Sequence, residues 1–185
     1  MVSINGQEYI GLNVGSGPHY AEGWCNTDIL AAPEGCRDPD VLADIFDYGN
    51  VFSAGIFAKA YVGHVLEHIP MNQVVTAVQK IAVTVRPGGS IMVVGPCIDR
   101  AIATGQPDWL LEAIRHHPSK PQHPWSHAWT PTEALTLRLM QESGLDDVRV
   151  VPIGSVQQPE WPNPSVSEWQ TAVTGTVPVR QHSDM

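Results

Sequence analysis

The chain has 185 residues, 43% of them hydrophobic and 16% charged, and this composition predicts a globular protein with one core rather than a disordered chain. Nineteen acidic residues against ten basic ones give a formal charge of −9, without a run of Lys or Arg that would attract a phosphate backbone. Nucleic acid and an anionic membrane surface are therefore not expected partners.

The N-terminal segment and the cysteines indicate the cellular compartment of the protein. MVSINGQEYI lacks the basic and long apolar regions of a signal peptide, and no apolar run approaches the ~20 residues of a membrane span. The three cysteines, Cys25, Cys36 and Cys97, are irregularly spaced and predict neither a disulfide framework nor a cysteine-based zinc site. We therefore expect a cytoplasmic protein.

Short apolar runs precede a clear helical pattern, and this alternation predicts an α/β fold with a parallel sheet. The first four strands are predicted over Tyr9–Val14, Trp24–Ile29, Val41–Ile45 and Ala60–Val62. The first strand runs into the glycine turn Gly15-Ser16-Gly17-Pro18. The next two strands each carry an acid near the C-terminal end, Asp28 and Asp44.

The second half of the chain continues the alternation. Apolar residues three or four apart predict a helix over Met71–Val85, and Arg86-Pro87-Gly88-Gly89 ends it before a strand over Ser90–Val94. Thr130-Pro131-Thr132-Glu133 predicts the start of a further helix, as a capping box with Pro at its first position. The last two predicted strands, which could pair as an antiparallel hairpin, are Val148–Ile153 and Trp169–Val177.

The glycine turn and the two acids together indicate a nucleotide-like ligand. A strand that ends in Gly-x-Gly lets backbone N–H groups approach a ligand closely, although the same turn is common without one. In nucleotide-binding α/β folds, an acid at the end of the next strand accepts the hydrogen bonds of a ribose diol. Asp28 has that position, and Asp44 could accept from an adenine amino group, while each acid alone would be an ordinary solvated strand end.

Six stretches of the chain form an ordered set: LNVGSG (12–17), GWCNTDI (23–29), VLADIFD (41–47), AYVGHVLEHIP (60–70), VRPGGSIMVVGP (85–96) and HAWTPTEALTLRLMQESGL (127–145). In this order they resemble the class I S-adenosylmethionine-dependent methyltransferases, particularly the small type 11-like group. The resemblance implies a Rossmann-like, doubly wound, mostly parallel seven-stranded sheet in three α/β/α layers, with a C-terminal antiparallel hairpin. Only ten residues separate Gly17 from Asp28, so the first crossover is predicted to be shortened.

The resemblance also implies a domain layout, a cofactor and a cofactor site. We predict a single domain over residues 1–179, with an acceptor-side insert or lid over 101–130 and a disordered tail over 180–185. The implied cofactor is S-adenosyl-L-methionine, with S-adenosyl-L-homocysteine as product. The residues implied at the cofactor are Asn13, Gly15, Ser16, Gly17, Asp28, Ile29, Asp44, Ile45, His64, Val65 and Leu66.

The stretch GHVLEHIP contains His64-x-x-Glu67-His68, which is the pattern of an inverted zinc-protease motif. Its two histidines would share a face only in a helix, whereas a strand precedes the stretch and Pro70 follows it. We therefore interpret the stretch as a loop in which His64 borders the cofactor, and Glu67 and His68 hold the loop by hydrogen bonds. A zinc hydrolase is the remote alternative, and no metal site is predicted.

Methyl transfer is an in-line displacement, so the protein must position a nucleophile and, for a hydroxyl acceptor, remove its proton. Histidine has a pKa suited to that role, and His127 in the insert is the first candidate base, followed by His68 and Asp99. The predicted function is O-methylation of a hydroxyl on a small molecule, sugar or glycan. The alternative is a non-catalytic domain of the same fold that binds a cofactor or a partner.

Overall fold

The computed structural model describes residues 1–4, 6–115, 126–152, 160–162 and 167–179. The predicted tail over 180–185 lies outside these ranges, as do His116, His117, His123 and Trp125 of the insert. The strands are β1 (Val2–Ile4), β2 (Gln7–Tyr9), β3 (Leu12–Val14), β4 (Cys25–Asp28), β5 (Val41–Leu42), β6 (Phe57–Gly63), β7 (Val85–Pro96), β8 (Asp146–Val150) and β9 (Gln170–Thr176). The helices are α1 (Tyr48–Val51), α2 (Met71–Thr84), α3 (Ile98–Ala103), α4 (Asp108–Ile114) and α5 (Glu133–Glu142).

Seven strands form one sheet in the order β5-β4-β3-β6-β7-β9-β8. The strands β3 to β7 pair in parallel, whereas β9 lies antiparallel between β7 and β8. The order reverses at β3, and a sheet of this kind binds its ligands beyond the carboxyl ends of the strands at such a point. The predicted α/β fold, with its mostly parallel seven-stranded sheet and C-terminal antiparallel hairpin, is confirmed.

Neighbouring residues of the central strands pack on opposite faces of the sheet, as the alternation of side chains along a strand requires. On one face, Val62 and Val93 join the larger core cluster, to which α2 contributes the buried Val74, Val78 and Ile81. On the other face, Tyr61 and Met92 pack in a smaller cluster with Trp24 and Trp161, and Ala172 of β9 joins them. None of the helices in the described part of the chain has the length and apolar character of a membrane span.

The two connections that join the parallel strands β3, β4 and β5 are loops rather than helices. Residues 15–24, between β3 and β4, and residues 29–40, between β4 and β5, contain no helix, so the predicted shortening of the first crossover is confirmed. Asn26 of β4 is fully buried and holds both connections through its side chain. Its Oδ1 accepts hydrogen bonds from Asn13 Nδ2 at 2.9 Å and from the backbone N–H of Ala21 at 2.9 Å.

The amide nitrogen of Asn26 completes this polar network. Nδ2 donates to the carbonyls of Ala21 (3.0 Å) and Trp24 (2.7 Å) and to Asp40 Oδ2 (3.1 Å). The Asp40 carboxylate also accepts from the backbone N–H of Asn26 at 2.8 Å and from the Tyr20 hydroxyl at 2.7 Å. Asp40 precedes β5, so one buried amide side chain ties three neighbouring strands and their loops together.

Several element boundaries differ from the sequence prediction: Tyr9 belongs to β2 rather than to β3, β7 begins at Val85 rather than Ser90, and β8 begins at Asp146 rather than Val148. Two further differences have a side-chain cause. The third strand ends at Leu42 rather than Ile45, because Asp44 Oδ1 accepts the N–H of Phe46 at 2.9 Å and begins a 3-10 turn over Ile45–Asp47. The predicted N-cap at Thr130 is wrong: Thr132 is the N-cap of α5 and accepts the N–H of Leu135 at 3.1 Å.

Candidate functional site

A cavity of about 980 Å³ opens beyond the carboxyl ends of β3 and β6, next to the first residue of β9. This volume is at the upper end of the roughly 300–1,000 Å³ typical of ligand sites. The lining residues are Asn13, Gly15, Ser16, Gly17, Pro18, His19, Tyr20, Tyr61, Gly63, His64, Glu67, His68, His127, Pro162, Ser167, Trp169 and Gln170.

The glycine turn after β3 forms part of this lining. Both of its glycines have a positive φ, and one of them also lies too close to a neighbour to carry a side chain. Gly15 has φ +65°, and a Cβ at this position would lie 2.2 Å from Val65 Cγ2. Gly17 has φ +50°, but a Cβ there would meet open space. The backbone N–H of Gly17 donates to Asp28 Oδ2 at 2.9 Å, so the turn is fastened to the end of β4.

The other residues predicted at the cofactor occupy three kinds of position. Asp28 adjoins the turn, while Ile29 is 66% exposed and Asp44 is exposed beyond the edge strand β5. Ile45 and Leu66 are buried in the core and do not line the cavity with their side chains. Of the predicted set, the structure brings Asn13, Gly15, Ser16, Gly17 and His64 together around the cavity.

The His64 ring is surrounded by Trp169, Gln170 and Glu67. The residue has φ +55°, and its ring stands edge-on to Trp169 at 6.1 Å between centroids. Its Nε2 faces the side-chain nitrogen of Gln170, whose Oε1 accepts the backbone N–H of Ser167 at 2.6 Å. Since Gln170 Nε2 is therefore the donor, His64 Nε2 accepts and its proton lies on Nδ1, which is 3.3 Å from Glu67 Oε1.

Glu67, His68 and His127 form a three-residue cluster in the wall of the cavity. One ligand atom from each residue lies within 4.8 Å of the others, and the two histidine rings are 5.2 Å apart between centroids. Glu67 is 3% exposed, and its Oε1 is buried without a hydrogen bond from the described residues. The two histidines are half-buried.

Hydrogen bonds between two distant segments build this cluster. The 3-10 turn Leu66–His68 meets the segment before α5, where Trp129 Nε1 donates to Leu66 O at 3.0 Å and Ala128 N donates to Glu67 O at 2.7 Å. His68 Nδ1 lies 3.3 Å from Ser126 O. Trp129 is itself buried in the core, so a tryptophan anchors the segment that carries His127.

The environment favours a neutral His68. Burial is the main cause that lowers the pKa of His68; the Glu67 carboxylate opposes this effect, and His127 adds to it. The third candidate base, Asp99, is exposed in the first turn of α3 and is not among the residues that line the cavity. The two candidate histidines are therefore the ones that the structure places at the cavity.

Several lining residues carried no signal in the sequence. Tyr61 has a buried hydroxyl without a hydrogen-bond partner among the described residues, and burial raises its pKa to about 12. Burial and a hydrogen bond to Asp40 raise the pKa of Tyr20 to about 12. Both hydroxyls therefore stay protonated at neutral pH. Trp169 and Gln170 reach the cavity only because β9 inserts next to β7, which no local pattern encodes.

No protein-family model and no curated protein sequence matches the chain. Solved structures do resemble it. A SAM-dependent methyltransferase from Archaeoglobus fulgidus aligns with a TM-score of 0.55 at 10% identity, over 89% of this chain and 84% of that one. The CurJ carbon methyltransferase aligns with a TM-score of 0.52 at 13% identity, over 96% of this chain and 50% of that one.

An O-methyltransferase family protein from Burkholderia thailandensis aligns with a TM-score of 0.50 at 12% identity, over 76% of this chain. The aligned part spans 36% of the length of the Burkholderia protein, so this chain corresponds to a fraction of it. Together with the strand order, these similarities show that the chain has the class I SAM-dependent methyltransferase fold.

Proposed function

We propose that the protein is an S-adenosylmethionine-dependent methyltransferase that acts on a hydroxyl group of a small molecule, sugar or glycan. The observation that carries the proposal is one cavity of about 980 Å³ lined both by the glycine turn after β3 and by two adjacent histidines. The same cavity thus contains a ligand-binding turn and a proton-accepting group. This pairing is what methyl transfer to a hydroxyl requires.

The described residues fit the cofactor. Open space lies where a side chain at Gly17 would stand, and the buried Tyr61 hydroxyl has an unused hydrogen-bonding capacity at the cavity wall. The Asp28 carboxylate already accepts from Gly17 N and from Leu30 N at 3.1 Å. A carboxylate offers about four acceptor sites, so Asp28 retains capacity for ribose hydroxyls. We assign the exposed Asp44 to the adenine end.

When bound, the cofactor supplies an electrophilic methyl group on a sulfonium. His127 is our first choice for the group that accepts the acceptor's proton, with His68 second. His127 would take up the hydroxyl proton on a ring nitrogen, which would leave the acceptor oxygen able to receive the methyl group. His127 Nδ1 lies 3.0 Å from Ile114 O, and this carbonyl fixes the ring by accepting its N–H.

The lining favours an uncharged, hydroxylated acceptor. Among the described residues that line the cavity there is no Lys or Arg, so a phosphorylated acceptor would find no counter-charge. Tyr20, Ser167 and Gln170 instead offer neutral hydrogen-bonding groups. The segment 101–130 acts as the acceptor-side insert in this proposal, because its last residues bring His127 to the cavity.

Replacing Asp28 by alanine is expected to weaken the binding of S-adenosylhomocysteine by about 10–100-fold, as the loss of a hydrogen-bonding charged group predicts. Isothermal titration calorimetry of both proteins measures this difference. The matched control is Asp47→Ala, since Asp47 is an exposed acid that makes no cap hydrogen bond. Equal weakening in the control, or no binding of either cofactor form to the wild type, contradicts the assignment.

Turnover needs a separate experiment, because a non-catalytic domain would also bind cofactor. We expect methyl label to pass from labelled S-adenosylmethionine into a metabolite or glycan pool when the wild-type protein is added. His127→Gln is expected to lower the rate by about 100-fold or more, in the range that general base catalysis contributes. Tight cofactor binding without transfer of label to any pool would favour the non-catalytic alternative.

A further inference from the structure

The cluster of Glu67, His68 and His127 offers the two imidazoles and one carboxylate that first-row transition metals bind. Its ligand atoms come from two segments separated by almost sixty positions in the sequence, and backbone hydrogen bonds bring these segments together. The cluster lines the large cavity, so an ion bound there would face a space that accepts a further ligand.

The Glu67 carboxylate is the first indication of an ion. The residue is 3% exposed, and its Oε1 receives no hydrogen bond from the described residues. His64 Nδ1 lies 3.3 Å from this oxygen but does not form a hydrogen bond with it. A buried carboxylate oxygen is unfavourable without a donor or a cation, and a metal ion would satisfy it.

The orientation of the two histidines is the second indication. His68 Nδ1 lies 3.3 Å from Ser126 O, and His127 Nδ1 lies 3.0 Å from Ile114 O. A backbone carbonyl only accepts, so Nδ1 of each ring is the donor and Nε2 is the nitrogen that can bind a metal. Metal-binding histidines are held in this way, with the second ring nitrogen donating to a carbonyl or carboxylate.

We infer that Glu67, His68 and His127 form a binding site for a divalent transition metal of the Zn²⁺ class, with a coordination position open to the cavity. Two imidazoles disfavour Mg²⁺ and Ca²⁺, which prefer oxygen ligands. Ligand atoms around tetrahedral zinc are about 3.3 Å apart. The ligand atoms here lie within 4.8 Å of one another, so an ion must draw them closer together to complete the site.

This site differs from the inverted zinc-protease hypothesis. His64 is not a member of the cluster, because its Nε2 is engaged by Gln170. It also goes beyond the proposed methyl transfer. With an ion bound, His68 and His127 would serve as its ligands, and the ion would supply the activation of an acceptor hydroxyl that the metal-free protein assigns to His127.

The test is Zn²⁺ binding to the full chain after treatment with a chelator, measured by competition with a chromophoric indicator. We expect one tightly bound ion per chain, and a loss of affinity of about 100-fold or more in His68→Ala and in His127→Ala. The matched control is His19→Ala, since His19 is an exposed histidine that lines the same cavity outside the cluster. Its affinity for Zn²⁺ should equal that of the wild type.

Two further measurements make the result decisive. Bound Co²⁺ should give the visible absorption of a four-coordinate site in the wild type and in His19→Ala only, and Zn²⁺ should raise the melting temperature of these two proteins alone. Binding of S-adenosylhomocysteine to each variant shows that it has folded and reports on the cofactor site independently. The inference is overturned if no 1:1 site exists, or if the site survives unchanged in the double variant H68A/H127A.

Discussion

Replacing Gly15 by alanine is expected to lower the free energy of unfolding by about 2–5 kcal/mol. The residue has φ +65°, which costs a residue with a side chain about 1–2 kcal/mol. In addition, the new Cβ would lie 2.2 Å from Val65 Cγ2, and relieving such an overlap costs about 1–3 kcal/mol. Val65 stands between His64 and the 3-10 turn of Glu67 and His68, so its displacement also disturbs the cavity.

The chain contains a matched control for each of the two causes. Gly17 has φ +50° with open space around its Cβ, so Gly17→Ala should cost only the backbone strain of about 1–2 kcal/mol. The double variant Gly15→Ala/Val65→Ala lacks the overlapping methyl group. After the destabilisation caused by Val65→Ala alone is subtracted, its remaining loss of stability should approach that of Gly17→Ala. Urea denaturation of the wild type and the four variants measures these differences. Equal destabilisation by alanine at the two glycines would refute the packing argument.

The fold was largely predictable from sequence because each central element carries a strong local pattern. The apolar stripe of Met71–Val85 corresponds to α2, with Val74, Val78 and Ile81 buried, and the apolar run Ser90–Val94 lies inside β7. Two of the boundaries that were wrong lie where a short polar side chain competes for the backbone. Asp44 caps a 3-10 turn and shortens β5, and Thr132 rather than Thr130 begins α5.

The candidate site was predictable only in part, because its residues come from distant segments. The glycine turn and the His64–His68 stretch are local motifs, and the structure places both at the cavity. Gln170 meets His64 across more than one hundred positions, and this contact depends on the insertion of β9 next to β7. The pattern His64-x-x-Glu67-His68 is local in sequence, whereas the cluster in the structure joins Glu67 and His68 with the distant His127.

Asn26→Asp is expected to destabilise the protein by about 3–5 kcal/mol at neutral pH, as an uncompensated buried charge does. Asn26 is fully buried, and its Nδ2 donates to two carbonyls and to the Asp40 carboxylate. The substitution turns this donor into a charged acceptor that faces three acceptors. Asn26→Ala removes the hydrogen bonds without adding charge, so it should cost less, about 2–3 kcal/mol. Asn50→Asp, at an exposed position of α1, is the control with the same chemical change.

The pH dependence of the Asn26→Asp deficit identifies its cause. Burial and the nearby Asp40 raise the pKa of the introduced carboxyl in the folded protein above the unfolded value of about 3.9, so the unfolded chain loses this proton first as the pH rises. The deficit relative to wild type should therefore be largest at pH 7 and shrink as the pH is lowered through the raised folded pKa. Denaturation at pH 5 and pH 7 measures this change in the deficit, and Asn50→Asp is expected to show no such trend.

A deficit independent of pH would mean that the Asn26 network acts through packing alone. A shrinking deficit would show that its cause is a charge placed where the Asn26 amide donates to Asp40 and to the loop carbonyls.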